Sequence, residues 1–118
     1  MTFIFVALGG AIGSCVRYAI SLIPIKSQFP ILTLITNLLG ALLIGLIVGI
    51  AEKKNLSRNT MILLKTGVCG SFTTFSTFSL EALNLFSTKN YILGSLYISL
   101  SVIGCILGVW CGKKLATR

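Results

Sequence analysis

Residues 67–81 hold most of the side chains in this sequence that could do chemistry. The stretch reads GVCGSFTTFSTFSLE and contains six hydroxyl side chains, three phenylalanines at a spacing of three, and one carboxylate, Glu81. An aromatic ring has a positive edge, so Phe75 and Phe78 presented edge-on would stabilise a small anion weakly, and the hydroxyls around them add hydrogen-bond donors. The stretch therefore favours an anion path.

The same stretch predicts a break in a helix. Gly67 and Gly70 add backbone flexibility just before Thr73 and Thr74, whose side chains offer the backbone competing hydrogen bonds. Broken backbone at membrane depth must be buried in protein or face water, and its freed carbonyls can coordinate a cation. The amide end of the half-helix that follows favours an anion.

Polar residues also interrupt two other apolar segments. One face of the second segment carries Thr33, Thr36, Asn37 and Gly40, and one face of the last carries Tyr97, Ser101 and Cys105. A serine or threonine hydroxyl can bond to its own helix, which leaves a structural role open for each of them. The amide of Asn37 has two donors and an acceptor that its own helix cannot satisfy, so it must face another helix, water or a ligand.

Arg17 and Glu81 are the two clearest charges within apolar segments, where a charge indicates function by default. Arg17 could instead extend its guanidinium to the membrane edge, and Glu81 could lie in a wet vestibule.

These side chains belong to a membrane protein. Of the 118 residues 55% are hydrophobic and 10% are charged, and the mean hydropathy is +0.99. Four segments approach the roughly 20 apolar residues that a spanning helix needs. They are Thr2–Ile23, Ile31–Ala51, Met61–Phe86 and Tyr91–Gly112. The short connections between them predict one all-α transmembrane domain over residues 1–118, with the break in the third span.

Basic residues predict the orientation. If the N-terminus is cytoplasmic, that side holds Lys53, Lys54, Arg58, Lys65, Lys113, Lys114 and Arg118, against Lys26 and Lys89 outside. The positive-inside rule then favours both termini in the cytoplasm. A cleaved signal peptide is disfavoured because Met1–Ala7 carries no basic side chain.

Glycines at steps of four mark the helix contacts. They are Gly9 and Gly13, Gly45 and Gly49, and Gly104, Gly108 and Gly112. Small residues at this spacing let helix backbones approach closely in lipid. The four cysteines show no metal-ligand spacing and are interpreted as small packing residues.

Three motifs resemble the Fluc or CrcB family of fluoride channels. They are the opening Gly9–Gly13 followed by Arg17–Tyr18, the second-segment Thr36–Gly40, and Gly70–Phe78 with Glu81. The resemblance covers essentially the whole chain. It implies a fluoride-selective passive channel of the cell membrane that exports fluoride and lowers its toxicity, built as an antiparallel dual-topology dimer with two pores around a structural sodium ion.

The resemblance also implies residue roles. Phe75 and Phe78 would be the pore phenylalanines, and Asn37 would donate a hydrogen bond to fluoride. The polar positions along the pore would be Ser76, Thr77, Tyr97 and Ser101. The backbone carbonyls of Gly70 and Thr73 would hold sodium, and Arg17 and Glu81 would lie in the vestibules.

Two departures from the family pattern matter. The strong charge bias favours insertion in one orientation, so the partner could be a paralogue of opposite orientation rather than a second copy. Cys105 occupies a position where a hydroxyl is expected, which would weaken hydrogen bonding along the pore.

Other functions fit the sequence less well. A small multidrug exporter of this length needs a carboxylate deep in its first helix, where this chain has Arg17 and no acid. A membrane scaffold would leave Asn37 and the hydroxyl cluster unexplained. An enzyme is disfavoured because the chain has no histidine, no aspartate and no paired carboxylates.

Overall fold

The computed structural model describes residues 1–118, and its regular elements are all helical. In chain order they are α1 (Thr2–Ser21), α2 (Ile31–Lys53), α3 (Arg58–Met61), a π-helix (Ile62–Cys69), α4 (Gly70–Phe72), α5 (Phe75–Ser87) and α6 (Tyr91–Ala116). The predicted all-α membrane architecture with a break in the third span is confirmed. We call residues 58–87, which contain everything from α3 to α5, the third segment.

Local sequence sets the ends of these helices. Pro30 stands at the N-cap of α2, where its missing amide hydrogen costs nothing. The hydroxyl of Ser57 caps α3 by accepting from the Thr60 amide at 3.1 Å. Lys89 has a φ of 61°, and the amides of Lys89 and Asn90 donate to carbonyls in the last turn of α5.

The long helices match a bilayer. α1, α2 and α6 are each long and apolar enough to cross a membrane. The longest dimension of the molecule is 49 Å, close to the thickness of about 40–45 Å for a bilayer with its headgroups. α6 continues four residues beyond its predicted end at Gly112, so its last turn carries the basic residues Lys113 and Lys114. Cations at a helix C-terminus are stabilised by the helix dipole.

The third segment crosses in two halves separated by Thr73 and Thr74. Both residues have extended backbone, with ψ of 157° and 121°. The first half winds as a π-helix over Ile62–Cys69 before its last short turn. The second half, α5, begins directly after the Thr74 cap.

The predicted glycine contacts pair the helices. α1 packs against the π-helix, where a Cβ on Gly9 or Gly13 would overlap the carbonyl oxygens of Leu63 and Val68 respectively. α2 packs against α6 through Gly45 and Gly112, where a Cβ on either glycine would overlap a carbonyl oxygen of the facing helix. Close backbone contact of this kind replaces the hydrophobic drive that lipid does not supply.

A small aromatic and aliphatic core joins α2, α5 and α6. It consists of Leu34, Phe78, Ala82, Leu85 and Tyr97. Only 19 of the 118 residues are buried, and large apolar side chains cover the outer surfaces of the helices. That surface is suited to lipid and to a protein partner.

Candidate functional site

The side chain of Asn37 bonds to the backbone at the break. Its Nδ2 donates to the carbonyl of Thr74 at 3.0 Å, and its Oδ1 accepts from the Thr74 amide at 2.8 Å. Both backbone polar groups of Thr74 are thereby satisfied by a residue 37 positions away in the sequence. One N–H of the Asn37 amide is left without a protein partner, because the amide has two donors.

The break leaves both backbone amides and backbone carbonyls without hydrogen-bond partners. Thr74 Oγ1 accepts from the Thr77 amide at 3.3 Å and caps α5. The amides of Phe75 and Ser76 point out of the first turn of α5 without acceptors, and the carbonyls of Gly70 and Thr73 have no hydrogen-bond donor. Free amides attract an anion, whereas free carbonyls attract a cation.

A groove of about 360 Å³ runs along the break. Its lining includes Asn37, Gly70, Thr73, Phe75, Phe78, Ser101 and Cys105. The rings of Phe75 and Phe78 have centroids 5.5 Å apart, and their side chains are 79% and 8% exposed respectively. Ser101 is 6% exposed, and its buried hydroxyl makes no hydrogen bond. The groove thus combines two aromatic rings with unused donors.

A second, small cavity of about 50 Å³ lies on the Arg17 side of the break. Its polar lining comes from Arg17, Ser21, Thr33, Thr36, Thr74 and Thr77. Arg17 Nε donates to the Ser71 carbonyl at 3.1 Å, which ties α1 to the end of α4. Thr36 is 3% exposed and adds its hydroxyl to this lining. The cavity is therefore cationic and rich in donors.

Glu81 lies close to the Arg17 cavity and not at an opposite end of the path, because Thr33 lines that cavity and also bonds to Glu81. Its carboxylate accepts from the hydroxyl of Thr33 at 2.8 Å and from that of Tyr97 at 2.7 Å. It also borders an open cavity of about 470 Å³. The other polar lining residues there are Ser27, Gln28, Asn84, Thr88 and Asn90. We call this cavity the Glu81 vestibule.

Tyr97 reaches Glu81 rather than the groove. The residue is completely buried, and its ring contacts Phe78 with centroids 5.2 Å apart. It therefore links the carboxylate to one of the two predicted pore phenylalanines. Among the other predicted site residues, Thr77 lies half-buried at the cap of α5, and Ser76 is exposed beside it.

The structure adds Thr33 and Thr74 to the predicted site residues. Thr33 bonds to Glu81. Thr74 caps α5 with its side chain and bonds to Asn37 with its backbone. A threonine three residues before Thr77 at the start of an apolar helix is a capping signal that the sequence does contain. The bond of Thr33 to Glu81 joins α2 to α5 and has no local sequence signal.

Known proteins resemble this chain over almost its full length. A family model described as "CrcB-like protein, Camphor Resistance (CrcB)" matches residues 4–113. A protein of Flavobacterium psychrophilum named "Fluoride-specific ion channel FluC" is 41% identical, and the alignment covers 98% of this chain and 96% of the relative. Proteins with the same name from Ruminiclostridium cellulolyticum and Methanococcus maripaludis are 44% and 39% identical, covering 94% and 93% of this chain and 88% and 91% of the relatives. By this match along nearly all of its helices, the chain belongs to the CrcB-like protein family.

Proposed function

We propose that this chain is a fluoride-selective, passive ion channel of the cell membrane, which exports fluoride and thereby lowers its toxicity. The names of its relatives support the ion and the channel class. The observation that carries the proposal within the chain is the break itself. Its free amides, the spare N–H of Asn37 and the unused hydroxyl of Ser101 lie beside Phe75 and Phe78 at the groove.

These donors suit a small anion that gives up water. Fluoride is small and strongly hydrated, so a narrow path must replace its water with several good donors. Neutral donors do this without trapping the ion as a fixed positive charge would, and the positive edges of the two rings add weak stabilisation. A channel needs binding that is strong enough for entry and weak enough for exit.

The two charged residues beside the break would control entry. Arg17 attracts anions to the small cavity, because its only bond to the chain uses one of its five N–H donors. On the same side of the break, Thr33 and Tyr97 satisfy the carboxylate of Glu81. Their hydroxyl protons are directed at that carboxylate rather than into the path.

The carbonyls of Gly70 and Thr73 fit a structural sodium ion. Both oxygens lack hydrogen-bond donors and belong to broken backbone at membrane depth, the kind of group that coordinates Na⁺ in transporters. Bound there, sodium would supply positive charge that neutralises the carbonyl dipoles at the break. Two carbonyls are too few for one ion, so a second subunit would supply the rest.

The exposed surface at the break also supports a second, antiparallel subunit. Phe75 is 79% exposed and Gly70 is exposed, although both lie at a break whose polar backbone cannot face lipid. An opposed copy of the same groove would cover this surface and complete two pores. The charge bias leaves two candidates for that partner, a second copy in opposite orientation or a paralogue that inserts the other way.

Growth of fluoride-sensitive cells tests the proposal. Cells without their own fluoride exporter stop growing in acidic medium with fluoride, because hydrogen fluoride enters and dissociates inside. Expression of this chain, alone or with its paralogue, should restore growth in fluoride. Equal growth defects with and without the chain, at matched amounts of membrane-inserted protein, would contradict the proposal.

A further inference from the structure

The carbonyls of Gly70 and Thr73 are free because their usual donors are bonded elsewhere. In an unbroken α-helix, the amide of residue i donates to the carbonyl of residue i−4. The amide of Thr74 would then satisfy Gly70, and the amide of Thr77 would satisfy Thr73. In this chain the Thr74 amide donates to Asn37 Oδ1 and the Thr77 amide donates to Thr74 Oγ1.

Asn37 and Gly40 hold the Thr74 amide away from the Gly70 carbonyl. Asn37 holds both the amide and the carbonyl of Thr74, so this residue cannot turn its amide back toward Gly70 without disturbing two hydrogen bonds. Gly40, one turn further along α2, makes room for this approach. A Cβ at Gly40 would overlap the methyl group of Thr73.

From these bonds we infer that Asn37 and Thr74 are positioning residues for the cation site, keeping the carbonyls of Gly70 and Thr73 available to sodium. The inference rests on the proposed sodium site. It gives Asn37 two separable functions, since Oδ1 keeps Gly70 free while the spare N–H serves the anion path. Through these two atoms, the Asn37 side chain affects both the sodium site and the anion path.

Substitutions at position 37 separate these functions. Asn37→Leu removes the acceptor, so the Thr74 amide can return to the Gly70 carbonyl. Asn37→Asp keeps an acceptor for that amide and adds a negative charge that attracts a cation. In Asn37→Leu, sodium must compete with the new hydrogen bond from the Thr74 amide to the Gly70 carbonyl, which should raise the sodium concentration for half-saturation about tenfold. Asn37→Asp should leave that concentration unchanged or lower it.

Two substitutions at position 74 test the second carbonyl independently. Thr74→Ala removes the cap and lets the Thr77 amide return to the Thr73 carbonyl, so it should weaken sodium binding to a similar extent. Thr74→Ser keeps the hydroxyl and should restore it. Asn84→Asp, which adds the same charge in the Glu81 vestibule away from the break, is the control for charge alone.

The readout is the thermal unfolding of the purified, assembled protein across a sodium series, with N-methylglucamine replacing sodium. Weak sodium binding in Asn37→Leu and Thr74→Ala, with near-normal binding in Asn37→Asp, Thr74→Ser and Asn84→Asp, supports the inference. Normal binding in Asn37→Leu or Thr74→Ala would overturn it, as would weakening in Asn37→Asp equal to that in Asn37→Leu. If the unfolding temperature of the unsubstituted protein does not depend on sodium, the proposed sodium site is wrong. The inference about Asn37 and Thr74 then fails with it.

Discussion

A single side-chain amide, that of Asn37, bonds to both the backbone amide and the carbonyl of Thr74, the residue directly before α5. Sequence reasoning identified Asn37 because an amide inside an apolar helix needs partners from outside that helix. Its actual partner could not be predicted, because the two residues are 37 positions apart and no local pattern joins them. The same holds for Thr33 and Glu81, which meet only after α2 and α5 have packed.

Asn37→Asp should stop fluoride flux while leaving the protein folded. A carboxylate and an anion 4 Å apart repel by about 4 kcal/mol at an effective dielectric constant of 20, which corresponds to roughly a thousandfold loss of flux. The measurement is fluoride efflux from liposomes at equal amounts of reconstituted protein. Asn55→Asp, which adds the same charge at an exposed residue between α2 and α3, should retain most of the flux. Equal flux in Asn37→Asp and the unsubstituted protein would remove Asn37 from the pore.

Tyr97→Phe should destabilise the protein without disturbing its aromatic core. The substitution keeps the ring that contacts Phe78 but removes the donor to Glu81, a hydrogen bond to a charged group worth about 2 kcal/mol. Thermal unfolding in detergent measures the loss. Tyr91→Phe, at an exposed tyrosine without such a bond, is the matched control. Equal unfolding temperatures for the two variants would show that the Glu81 bond contributes nothing.

At the scale of elements, the break was predictable and the π-helix was not. Two glycines and two adjacent threonines weaken a helix locally, and the break falls at Thr73 and Thr74 as they indicate. The sequence of Ile62–Cys69 does not distinguish a π-helix from an α-helix. Gly67 of this π-helix lies against Gly9 of α1, a contact between helices that no local pattern predicts.

Two glycines of α1 provide a matched test of this packing. A Cβ at Gly13 would lie 2.9 Å from the Phe72 amide nitrogen and overlap the Val68 carbonyl, whereas a Cβ at Gly10 would meet only the rotatable hydroxyl of Ser71 at 3.2 Å. Gly13→Ala should therefore lower the free energy of unfolding by about 1–3 kcal/mol, the usual cost of overpacking. Gly10→Ala should stay close to the unsubstituted protein. Similar losses in thermal unfolding for both variants would contradict this account of the α1 contact.

At the scale of the whole molecule, one end carries most of the positive charge. Glu52 and Lys113 form an ion pair at 2.6 Å, so the ends of α2 and α6 lie together with Lys53, Lys54 and Lys114. The sequence predicted this bias from helix order alone. It could not identify the partner proposed to cover the exposed groove, because such a partner would be another chain.

The charge bias predicts a fixed orientation. A reporter fused to the C-terminus should be found almost entirely on the cytoplasmic side. Replacing Lys53, Lys54 and Arg58 with glutamine removes three of the basic residues on that side and should place a measurable share of C-termini outside. A reporter divided evenly between the two sides in the unsubstituted chain would favour a homodimer of opposed copies and contradict the predicted bias.

The central claim is that the assembled chain conducts fluoride passively and selectively. Purified protein, in the oligomeric state in which it is isolated, should be reconstituted into liposomes loaded with fluoride and chloride, and efflux of each ion followed with ion-selective electrodes. With an ionophore for the potassium counter-ion and no proton gradient, fluoride should leave rapidly and chloride at the rate of protein-free liposomes. Equal efflux of the two anions, or fluoride efflux that requires a proton gradient, would contradict the claim.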